Sequence, residues 1–467
     1  MLRQAQHEWK LAWLALPLLV LTPAAAQRTA PAEPSPYARA IAAGYKALTV
    51  CSAHFNARRS PAQIDADELR GIYPDYAAIV PQLTATVRDE GYTGIVTVPF
   101  ASDLPARAAT WFWAKGCTVA PIGATPALAT VQYRMQPPAF AARFRPDPRA
   151  WPQGDFGIAP RSTPALAAAV DRAFDRASYG RESETVGVVI VRDGRIVAER
   201  YRDGFGPFTA NRTWSVAKSI TGTLVGLAGL DPAKPAPVPE WREPGDPRGA
   251  ITTDQLLRMA SGLHSATAGN RTDAIYFGGT AVTEEATGWP LETLPGTRFR
   301  YANNDTLLAV RGMRAQLGEA RYRDFPRAAL FEPLGMRHSI AEADWRGNFV
   351  LSSQVWSTAR DLARLGQFWL QDGVWRGKRL LPEGWMRYMT TPAGPQPADG
   401  PGYGATLWLF GPKQGLPAGS YAAQGNRGQF VMVVPSERLV VVRRGEDPGA
   451  ARFDVARFTA DVIAAGR

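Results

Sequence analysis

The sequence predicts an α+β fold, an α/β/α sandwich in which an antiparallel sheet is flanked by helices and carries an inserted, mostly helical lobe. Two strand pairs far apart in the chain support this prediction, at residues 185–201 and 428–443. The first pair flanks Asp193-Gly194, a dipeptide typical of a tight β-hairpin turn. Helical patterns precede the first pair and follow the second. The order helix, hairpin, helical insert, hairpin, helix therefore describes a sheet with helices on its faces.

Residues 1–26 predict a secretory signal peptide. Arg3 and Lys10 give a basic start, residues 11–20 form a short apolar run, and small residues end at Ala26. The run is shorter than the roughly 20 apolar residues of a comfortable membrane span. We therefore expect cleavage near Ala26 rather than an uncleaved anchor. The expected mature protein is periplasmic or secreted and has no stable membrane anchor.

Residues 27–150 are expected to form an N-terminal leader region. Within it, residues 62–71 have a helical pattern, and residues 94–100 have the short, β-branched form of a strand. Cys51 and Cys117 are the only cysteines of the chain. Outside the cytoplasm a disulfide between them is the favoured interpretation, and two free buried thiols are the alternative.

The main domain is expected over residues 163–467, after a Pro-, Arg- and Gly-rich linker at residues 144–164. Residues 163–177 place apolar side chains at helical spacing, which predicts the first helix of this domain. Thr252 is followed three residues later by Gln, and Thr358 by Asp. This spacing predicts a capping box at the start of two further helices.

The charge of the chain does not indicate a nucleic-acid partner. Lys and Arg number 53 against 42 Asp and Glu, which gives a formal net charge of +11. Such a surplus can serve binding to nucleic acid or to anionic surfaces. The basic residues are scattered, however, with no run of four and no interleaved aromatic stacking pattern. A solvated surface is the favoured interpretation.

The most informative segment for chemistry is NRTWSVAKSITGTLVGLAGL, which holds Ser215 and Lys218. Ser215 stands where an apolar helix begins, and Lys218 lies three residues later on the same helix face. The positive end of the helix dipole stabilises a developing alkoxide, and a desolvated lysine loses basicity and can act as a base near neutral pH. The pair therefore predicts a nucleophile with its activator. The alternative is a capping serine with a solvated lysine.

A second pattern, Tyr301-Ala-Asn303, is the single Tyr-x-Asn of the chain. A tyrosine held beside Lys218 can pass a proton between Ser215 and a leaving group. The Asn303 amide can fix the lysine and contact a substrate carbonyl. The alternative is a loop tyrosine followed by a turn-forming asparagine.

Other chemistries have less support in the sequence. After the expected signal cleavage, a Ser-His-Asp triad would have to use His54, His264 or His338, and no Gly-x-Ser-x-Gly elbow is present. We expect His264, which follows Ser-Gly-Leu, to be a surface turn residue. No spacing of His, Cys and acidic residues indicates a metal, and no Gly-rich phosphate loop appears. We therefore expect no metal and no cofactor.

Ser-x-x-Lys, then Tyr-x-Asn, then a Gly-rich strand near the C-terminus resembles the serine β-lactamase and penicillin-binding superfamily. The class C-like branch, which also holds family VIII-type esterases and 6-aminohexanoate-dimer hydrolases, is the most similar. The segments ITTDQLLRMASGL and STARDLARLGQFWLQDG look like the helical lobe of that branch, and the resemblance covers about residues 163–467. The surroundings of Cys51 and Gly116-Cys117 look like the leader of the hydrolase subgroup. The implied fold is β-lactamase/transpeptidase-like.

The resemblance implies a role for each residue of the first two motifs. Ser215 is expected to be the acylated nucleophile, with Lys218 and Tyr301 as its proton-transfer pair. Asn303 is expected to take the place of the asparagine of the second motif. Trp214, directly before the nucleophile, is expected to contact the substrate.

The third motif of the family, a strand bearing Lys-Thr-Gly, departs from its usual form. Here it reads Ala423-Gln424-Gly425-Asn426-Arg427. Gly425 keeps the glycine that lets the backbone approach a ligand, and Arg427 is the candidate substrate contact in place of the missing lysine. In the family that lysine meets a substrate carboxylate. The backbone N–H of Asn426 is expected to complete an oxyanion hole with that of the nucleophile.

The predicted function is that of a secreted serine hydrolase that cleaves an ester or a small amide through a Ser215 acyl-enzyme. Because Ala423 stands where the family has a cation, this prediction ranks above a β-lactamase or D,D-peptidase. A penicillin-binding-like sensor without turnover is a further alternative. The expected partner is a small-molecule substrate, and the sequence indicates no oligomeric state.

Overall fold

A computed structural model describes residues 33–71, 73–113, 115–125, 146–160, 162–265, 272–449 and 451–466. The predicted signal peptide, residues 27–32, 72, 114 and 126–145 of the leader, and residues 144, 145 and 161 of the predicted linker lie outside the described residues. The chain divides into Met1–Ser35 and Pro36–Arg467. The helices and strands of the described residues all lie in the second unit.

The strands are numbered in chain order over the described residues. They are β1 (Thr86–Asp89), β2 (Thr93–Val98), β3 (Arg107–Phe112), β4 (Gly116–Val119), β5 (Thr185–Arg192), β6 (Arg195–Tyr201), β7 (Asn211–Arg212), β8 (Ile340–Ala341), β9 (Val355–Ser357), β10 (Val374–Trp375), β11 (Lys378–Arg379), β12 (Gly402–Tyr403), β13 (Trp408–Phe410), β14 (Ser420–Gly425), β15 (Gln429–Val434) and β16 (Leu439–Gly445).

The longer helices are α1 (Pro36–Phe55), α2 (Pro164–Arg172), α3 (Val216–Ala228), α4 (Asn303–Tyr322), α5 (Ala359–Leu370) and α6 (Val455–Ala465). Shorter α-helical segments are Pro61–Gln63, Thr253–Leu257, Val282–Glu285, Glu332–Leu334 and Trp385–Thr390. Segments with π-helical hydrogen bonding are Ile64–Leu69, Ala274–Gly278 and Pro326–Phe331. Single 3₁₀ turns are Pro74–Tyr76, Val80–Gln82, Pro239–Trp241, Pro247–Ala250, Ala286–Gly288, Pro412–Gln414, Asn426–Gly428 and Pro435–Glu437.

A seven-stranded antiparallel sheet in the order β12-β13-β14-β15-β16-β5-β6 is the centre of the molecule. The two strand pairs predicted from the sequence meet in it, because β16 pairs with β5. Asp193 and Gly194 both have positive φ, 51° and 76°, as the tight hairpin turn between β5 and β6 requires. The predicted α+β class is confirmed, and the long insert between β6 and β12 is mostly helical.

The two faces of this sheet bury different side chains. Val431 and Val433 of β15 belong to the large core that α3 and α5 cover. Met432 and Val434, which alternate with them, belong to a second core under α2 and α6. Because successive strand residues point to opposite faces, the sheet is apolar on both sides and is covered by helices on both sides.

Helix starts follow the predicted capping residues in part. The Thr163 side chain caps α2 by accepting from the Leu166 N–H. Thr252 and Gln255 form the reciprocal capping box that was predicted. Thr358 caps α5, but the predicted box is wrong in its second half. The Asp361 carboxylate instead accepts from the His338 N–H and the Ser339 hydroxyl.

The leader region packs α1 against the antiparallel sheet β1-β2-β3-β4. The predicted disulfide is present and joins Cys51 of α1 to Cys117 of β4. The predicted helix at residues 62–71 corresponds to the helical segments over residues 61–69, and the predicted strand at residues 94–100 is β2. Among the described residues, no helix has the length and apolar character of a membrane span.

Candidate active site

Ser215 lies at a sharp turn from strand to helix. The Thr213 N–H donates to the Val355 carbonyl at 2.7 Å, which anchors the backbone just after β7. Trp214 has a φ of 50°, in the left-handed region that bulky residues rarely adopt. Ser215 follows as the N-terminal cap of α3. Its hydroxyl therefore lies at the positive end of the helix dipole.

α3 is buried over all but its last two residues. Residues 216–226 are all buried, as their small and apolar composition predicts. The helix ends at Gly229, whose φ of 73° gives the left-handed cap that glycine provides at low cost. The Ser215 end of the helix is thus fixed by the core rather than by surface contacts.

Lys218 reaches back along this helix to Ser215. Its Nζ lies 3.0 Å from the Ser215 Oγ, 2.5 Å from the Asn303 Oδ1 and 2.9 Å from the carbonyl oxygen of Ser352. The side chain is 1 % exposed. All three partners are uncharged oxygens. Burial therefore lowers the pKa of the Lys218 ammonium to about 7.

The geometry around Lys218 fixes the direction of its lone pair. The Asn303 Oδ1 and the Ser352 carbonyl can only accept hydrogen bonds. In the neutral amine the two N–H groups must therefore point at these two oxygens. The lone pair is left facing the Ser215 hydroxyl, the one partner that can donate. The arrangement can accept a proton from Ser215.

Tyr301 contacts both Ser215 and Lys218. Its hydroxyl is hydrogen-bonded to the Ser215 side chain, and its ring centroid lies 5.0 Å from the Lys218 Nζ. Burial raises the pKa of the Tyr301 hydroxyl above its ordinary value, so it carries a proton at neutral pH. The ring packs against Trp408 and Tyr403, with centroids 5.4 Å and 6.1 Å away.

Two residues of this network have no motif that could reveal them in the sequence. The backbone carbonyl of Ser352 accepts from Lys218, and the Ser352 hydroxyl lies 2.5 Å from the Tyr276 hydroxyl. A backbone acceptor can belong to any residue type, so no sequence signal identifies Ser352 as a partner. Tyr276 could have been found only as one more aromatic residue of the segment Ala274–Gly278.

The end of β14 comes unusually close to the nucleophile. A Cβ added to Gly425 would lie 2.3 Å from the Thr213 carbonyl oxygen and 3.1 Å from the Ser215 nitrogen. Only glycine permits this approach of two backbones. Asn426, which follows, is exposed at the end of the strand. The structure thus brings Ser215, Lys218, Tyr301 and Asn303 together and places the Gly425 strand end beside them.

Arg427 and Trp214, two predicted substrate contacts, are largely buried. The Arg427 guanidinium is 4 % exposed and binds the Glu446 carboxylate at 2.5 Å, turned into the protein interior. Trp214 is 6 % exposed. The Arg212 guanidinium lies over the Trp214 ring, with its Cζ 3.9 Å from the ring centroid. Both side chains pack in the protein interior, because a buried guanidinium needs a counter-charge and a large ring gains by burial. Ala423, in place of the family lysine, is fully buried.

Comparisons with known proteins show which family the chain resembles. The β-lactamase family model matches residues 170–464. A 6-aminohexanoate-dimer hydrolase of Paenarthrobacter ureafaciens is 28% identical over 304 residues, which cover 57% of this chain and 74% of that protein.

Two solved structures show the same fold. A penicillin-binding protein homologue from Caulobacter crescentus has a TM-score of 0.53 at 18% identity and covers 67% of this chain and 99% of that one. A family VIII carboxylesterase has a TM-score of 0.52 at 15% identity and covers 66% and 99%.

The fold and the arrangement around Ser215 define a serine hydrolase of the β-lactamase type. The family match covers more than half of the chain, and the chain belongs to the β-lactamase family. The resemblance predicted from the three motifs is confirmed. The leader region from Pro36 to β4 lies outside the matched residues.

Proposed function

We propose that this protein hydrolyses an ester or a small amide through an acyl-enzyme on Ser215. The contacts of Lys218 are the observation that carries the proposal. Its lone pair faces the Ser215 hydroxyl, and burial brings the pKa of Lys218 to about 7, so a large fraction is neutral at physiological pH. Such a lysine is a competent general base.

The acylation step follows from these contacts. The Ser215 Oγ attacks the substrate carbonyl carbon while its proton passes to Lys218. The carbonyl π electrons move to the oxygen, which the backbone N–H groups of Ser215 and Asn426 stabilise. When the tetrahedral intermediate collapses, the bond to the leaving alcohol or amine breaks. The leaving group takes a proton from Tyr301, which Lys218 reprotonates.

Deacylation reverses the roles with water as the nucleophile. Lys218, directly or through the Tyr301 hydroxyl, takes up a proton from water as the water oxygen attacks the acyl carbon. The Ser215–acyl bond then breaks, Ser215 regains a proton, and the carboxylic acid product leaves. Each bond made or broken involves the acyl carbon, the Ser215 oxygen, water or the leaving group, so the cycle needs no redox partner.

The third motif narrows the substrate class. Ala423 and Gln424 replace the lysine and threonine with which the family meets a substrate carboxylate, and the Arg427 guanidinium is bound to Glu446. An uncharged acyl compound is therefore the proposed substrate, either an ester or a linear amide. The amide hydrolase and carboxylesterase relatives support both chemistries.

Export is proposed with this activity. The Cys51–Cys117 disulfide is of the kind that forms and persists in oxidising compartments. The basic, apolar and small-residue pattern of residues 1–26 is that of a secretory signal. We propose that the mature enzyme acts in the periplasm or outside the cell.

Covalent labelling tests the proposed nucleophile. We expect a fluorophosphonate probe to label the wild type on Ser215 and to leave Ser215→Ala unlabelled. Ser219→Ala is the matched control, because Ser219 lies on the same helix but donates to the Thr406 carbonyl. Equal labelling of Ser215→Ala, or no labelling of the wild type, would overturn the proposal.

A substrate panel separates turnover from sensing. We expect hydrolysis of p-nitrophenyl esters or of short amide oligomers, and slower or no hydrolysis of nitrocefin. Stable acylation of Ser215 without turnover of any substrate would instead support a sensor. Preferential hydrolysis of nitrocefin would contradict the proposed substrate class.

A further inference from the structure

We propose that Arg427 is a positioning residue that holds the Asn426 N–H against Ser215, and that the leader region fixes Arg427 in this role. The inference rests on the proposed function, because it concerns the oxyanion hole of that reaction. It assigns a catalytic contribution to a part of the chain that lies outside the β-lactamase family match.

The turn from Gly425 to Gly428 has little freedom of its own. A Cβ on Gly428 would lie 1.6 Å from the Arg443 Nη1, so the turn is pressed against the neighbouring strand. Arg427 has a φ of 57°, a conformation that an L residue adopts only when its surroundings hold it there. The Arg427 N–H donates to the Asn426 Oδ1 at 2.9 Å. The backbone of Asn426 is therefore set by what holds Arg427.

The Arg427 side chain is held by an almost complete set of acceptors. Its Nε donates to the Asp447 carbonyl at 3.1 Å, and its Nη2 donates to the Glu446 carbonyl at 2.8 Å. Its Nη1 donates to the Glu446 carboxylate at 2.5 Å and also to the Asp67 carbonyl. A guanidinium bound in this way cannot turn towards a substrate carboxylate without losing several charge-assisted hydrogen bonds.

The leader region supplies the outer part of this cluster. The Asp67 carbonyl is one acceptor for Arg427, and the Glu68 carboxylate lies 4.0 Å from the same guanidinium. Arg59 bridges the two carboxylates, at 2.6 Å from Glu68 and 3.1 Å from Glu446. The side chains of this cluster are 4 % exposed or less. We name Arg59, Glu68, Arg427 and Glu446 the buttress cluster.

Glu446 links the buttress cluster to the nucleophile side of the site. Its Oε1 accepts from the Asn211 amide at 2.6 Å, and its Oε2 accepts from Arg427. Asn211 begins β7, the strand that leads into Ser215. One carboxylate therefore holds both backbones from which the proposed oxyanion donors come, the Ser215 turn and the Asn426 turn. A displacement of these two donors on the scale of 1 Å is enough to slow catalysis severely.

The test uses the full mature chain with Arg427→Met and Arg427→Lys. Arg364→Met is the matched control, because Arg364 is another buried arginine with two carboxylate partners, on α5. Each protein is assayed with a neutral ester, its thionoester and an ester that carries a carboxylate. Sulfur is larger than oxygen and a poorer hydrogen-bond acceptor, so a well-formed oxyanion hole disfavours the thionoester.

For Arg427→Met we expect kcat on the neutral ester to fall about 10- to 100-fold with little change in KM. In Arg427→Met the rate ratio of ester to thionoester should fall towards one. The ratio in Arg427→Lys should lie between those of Arg427→Met and the wild type, and Arg364→Met should keep the wild-type ratio. A wild-type ratio in Arg427→Met would overturn the proposal, as would a loss confined to the carboxylated ester. If Arg427→Met does not fold, the ratio in Arg427→Lys decides by the same criteria.

Failure of the proposed function would look different. In that case the wild type itself would show no turnover that depends on Ser215, before any Arg427 variant is compared. A wild type that turns over through Ser215, with an unchanged ratio in both Arg427 variants, would leave the nucleophile in place and reject only the positioning role.

Discussion

Lys218 and Arg427 are both buried cations beside the candidate site, and the two are stabilised in opposite ways. Lys218 meets only neutral oxygens, those of Ser215, Asn303 and Ser352. Arg427 meets the Glu446 carboxylate and several carbonyls. Burial without a counter-charge lowers the pKa of the lysine to about 7. The buried guanidinium, by contrast, has the Glu446 carboxylate beside it as a counter-charge.

This difference shows how one protein interior can hold both a general base, Lys218, and a positioning residue, Arg427. A cation without a counter-charge gives up its proton easily and becomes reactive, which suits the position next to Ser215. A cation with satisfied partners is chemically inert but holds the backbone in place, which suits the turn at Asn426. Variants that remove or exchange these two environments should therefore change activity and stability to different extents.

Replacement of Lys218 should have the largest effect. Lys218→Met is expected to lower kcat/KM by about 10²- to 10⁴-fold, because the general base is lost. Lys218→Arg should not restore the rate, since a guanidinium stays protonated at any assay pH. The measurement is steady-state hydrolysis of a p-nitrophenyl ester. Near-wild-type activity of either variant would show that Lys218 is not the base.

Loss of a counter-charge in the buttress cluster should have the second largest effect, a fall in the free energy of unfolding. Glu446→Gln leaves Arg59 and Arg427 without a shared carboxylate, and the free energy of unfolding is expected to fall by about 3–5 kcal/mol. Glu319→Gln is the control, because Glu319 pairs with Arg314 at 68 % exposure and should contribute at most about 1 kcal/mol. Chemical denaturation measures both. Equal small losses would contradict the paired-charge description.

Removal of the disulfide should lower stability without changing the chemistry of Lys218. The double variant Cys51→Ala, Cys117→Ala is expected to lose about 2–4 kcal/mol of unfolding free energy, because the unfolded chain is no longer cross-linked. The pH midpoint of kcat/KM should stay at the wild-type value, since neither cysteine contacts the site. A shifted midpoint in the folded variant would mean that the leader region acts on Lys218 directly.

A counter-charge placed beside Lys218 should turn it into a paired cation. Asn303→Asp puts a carboxylate at the position that now accepts from the Nζ, and the pKa of Lys218 is expected to rise by at least about one unit. The base is then protonated at neutral pH, so the midpoint of the kcat/KM profile moves upward. Asn303→Ala, the uncharged control, should lower the rate without raising the midpoint. An unmoved midpoint in Asn303→Asp would count against Lys218 as the titrating group.

The fold was predictable where local patterns decide it. Asp193-Gly194 predicts the β5–β6 hairpin because few dipeptides adopt two successive positive φ values. The Ser215–Lys218 pair was predictable because helix geometry brings residues three apart onto one face. Long-range partners were not predictable in this way. The Ser352 carbonyl accepts from Lys218 although the two residues are far apart in the chain. Every residue type has a backbone carbonyl, so the residue type at position 352 does not predict this contact.

Arg427 is a second case in which long-range partners could not be predicted from the sequence. Its residue type and its place after Gly425 indicate a substrate contact, as the third motif of the family implies. In the structure its partners come from the residues that follow β16 and from the leader region. Sequence spacing within one strand cannot show that a carboxylate from elsewhere has already bound the guanidinium.

The central claim, that a neutral Lys218 activates Ser215, is tested most directly by the pH dependence of Ser215 labelling. The rate constant for fluorophosphonate labelling of the wild type is measured from about pH 5 to pH 9, a range that brackets a neutral base. We predict a rate that rises with pH, about tenfold per unit below the midpoint, and levels off above a midpoint near 7. A rate that does not change with pH, or that still rises towards the ordinary lysine pKa of 10.5, would contradict the claim.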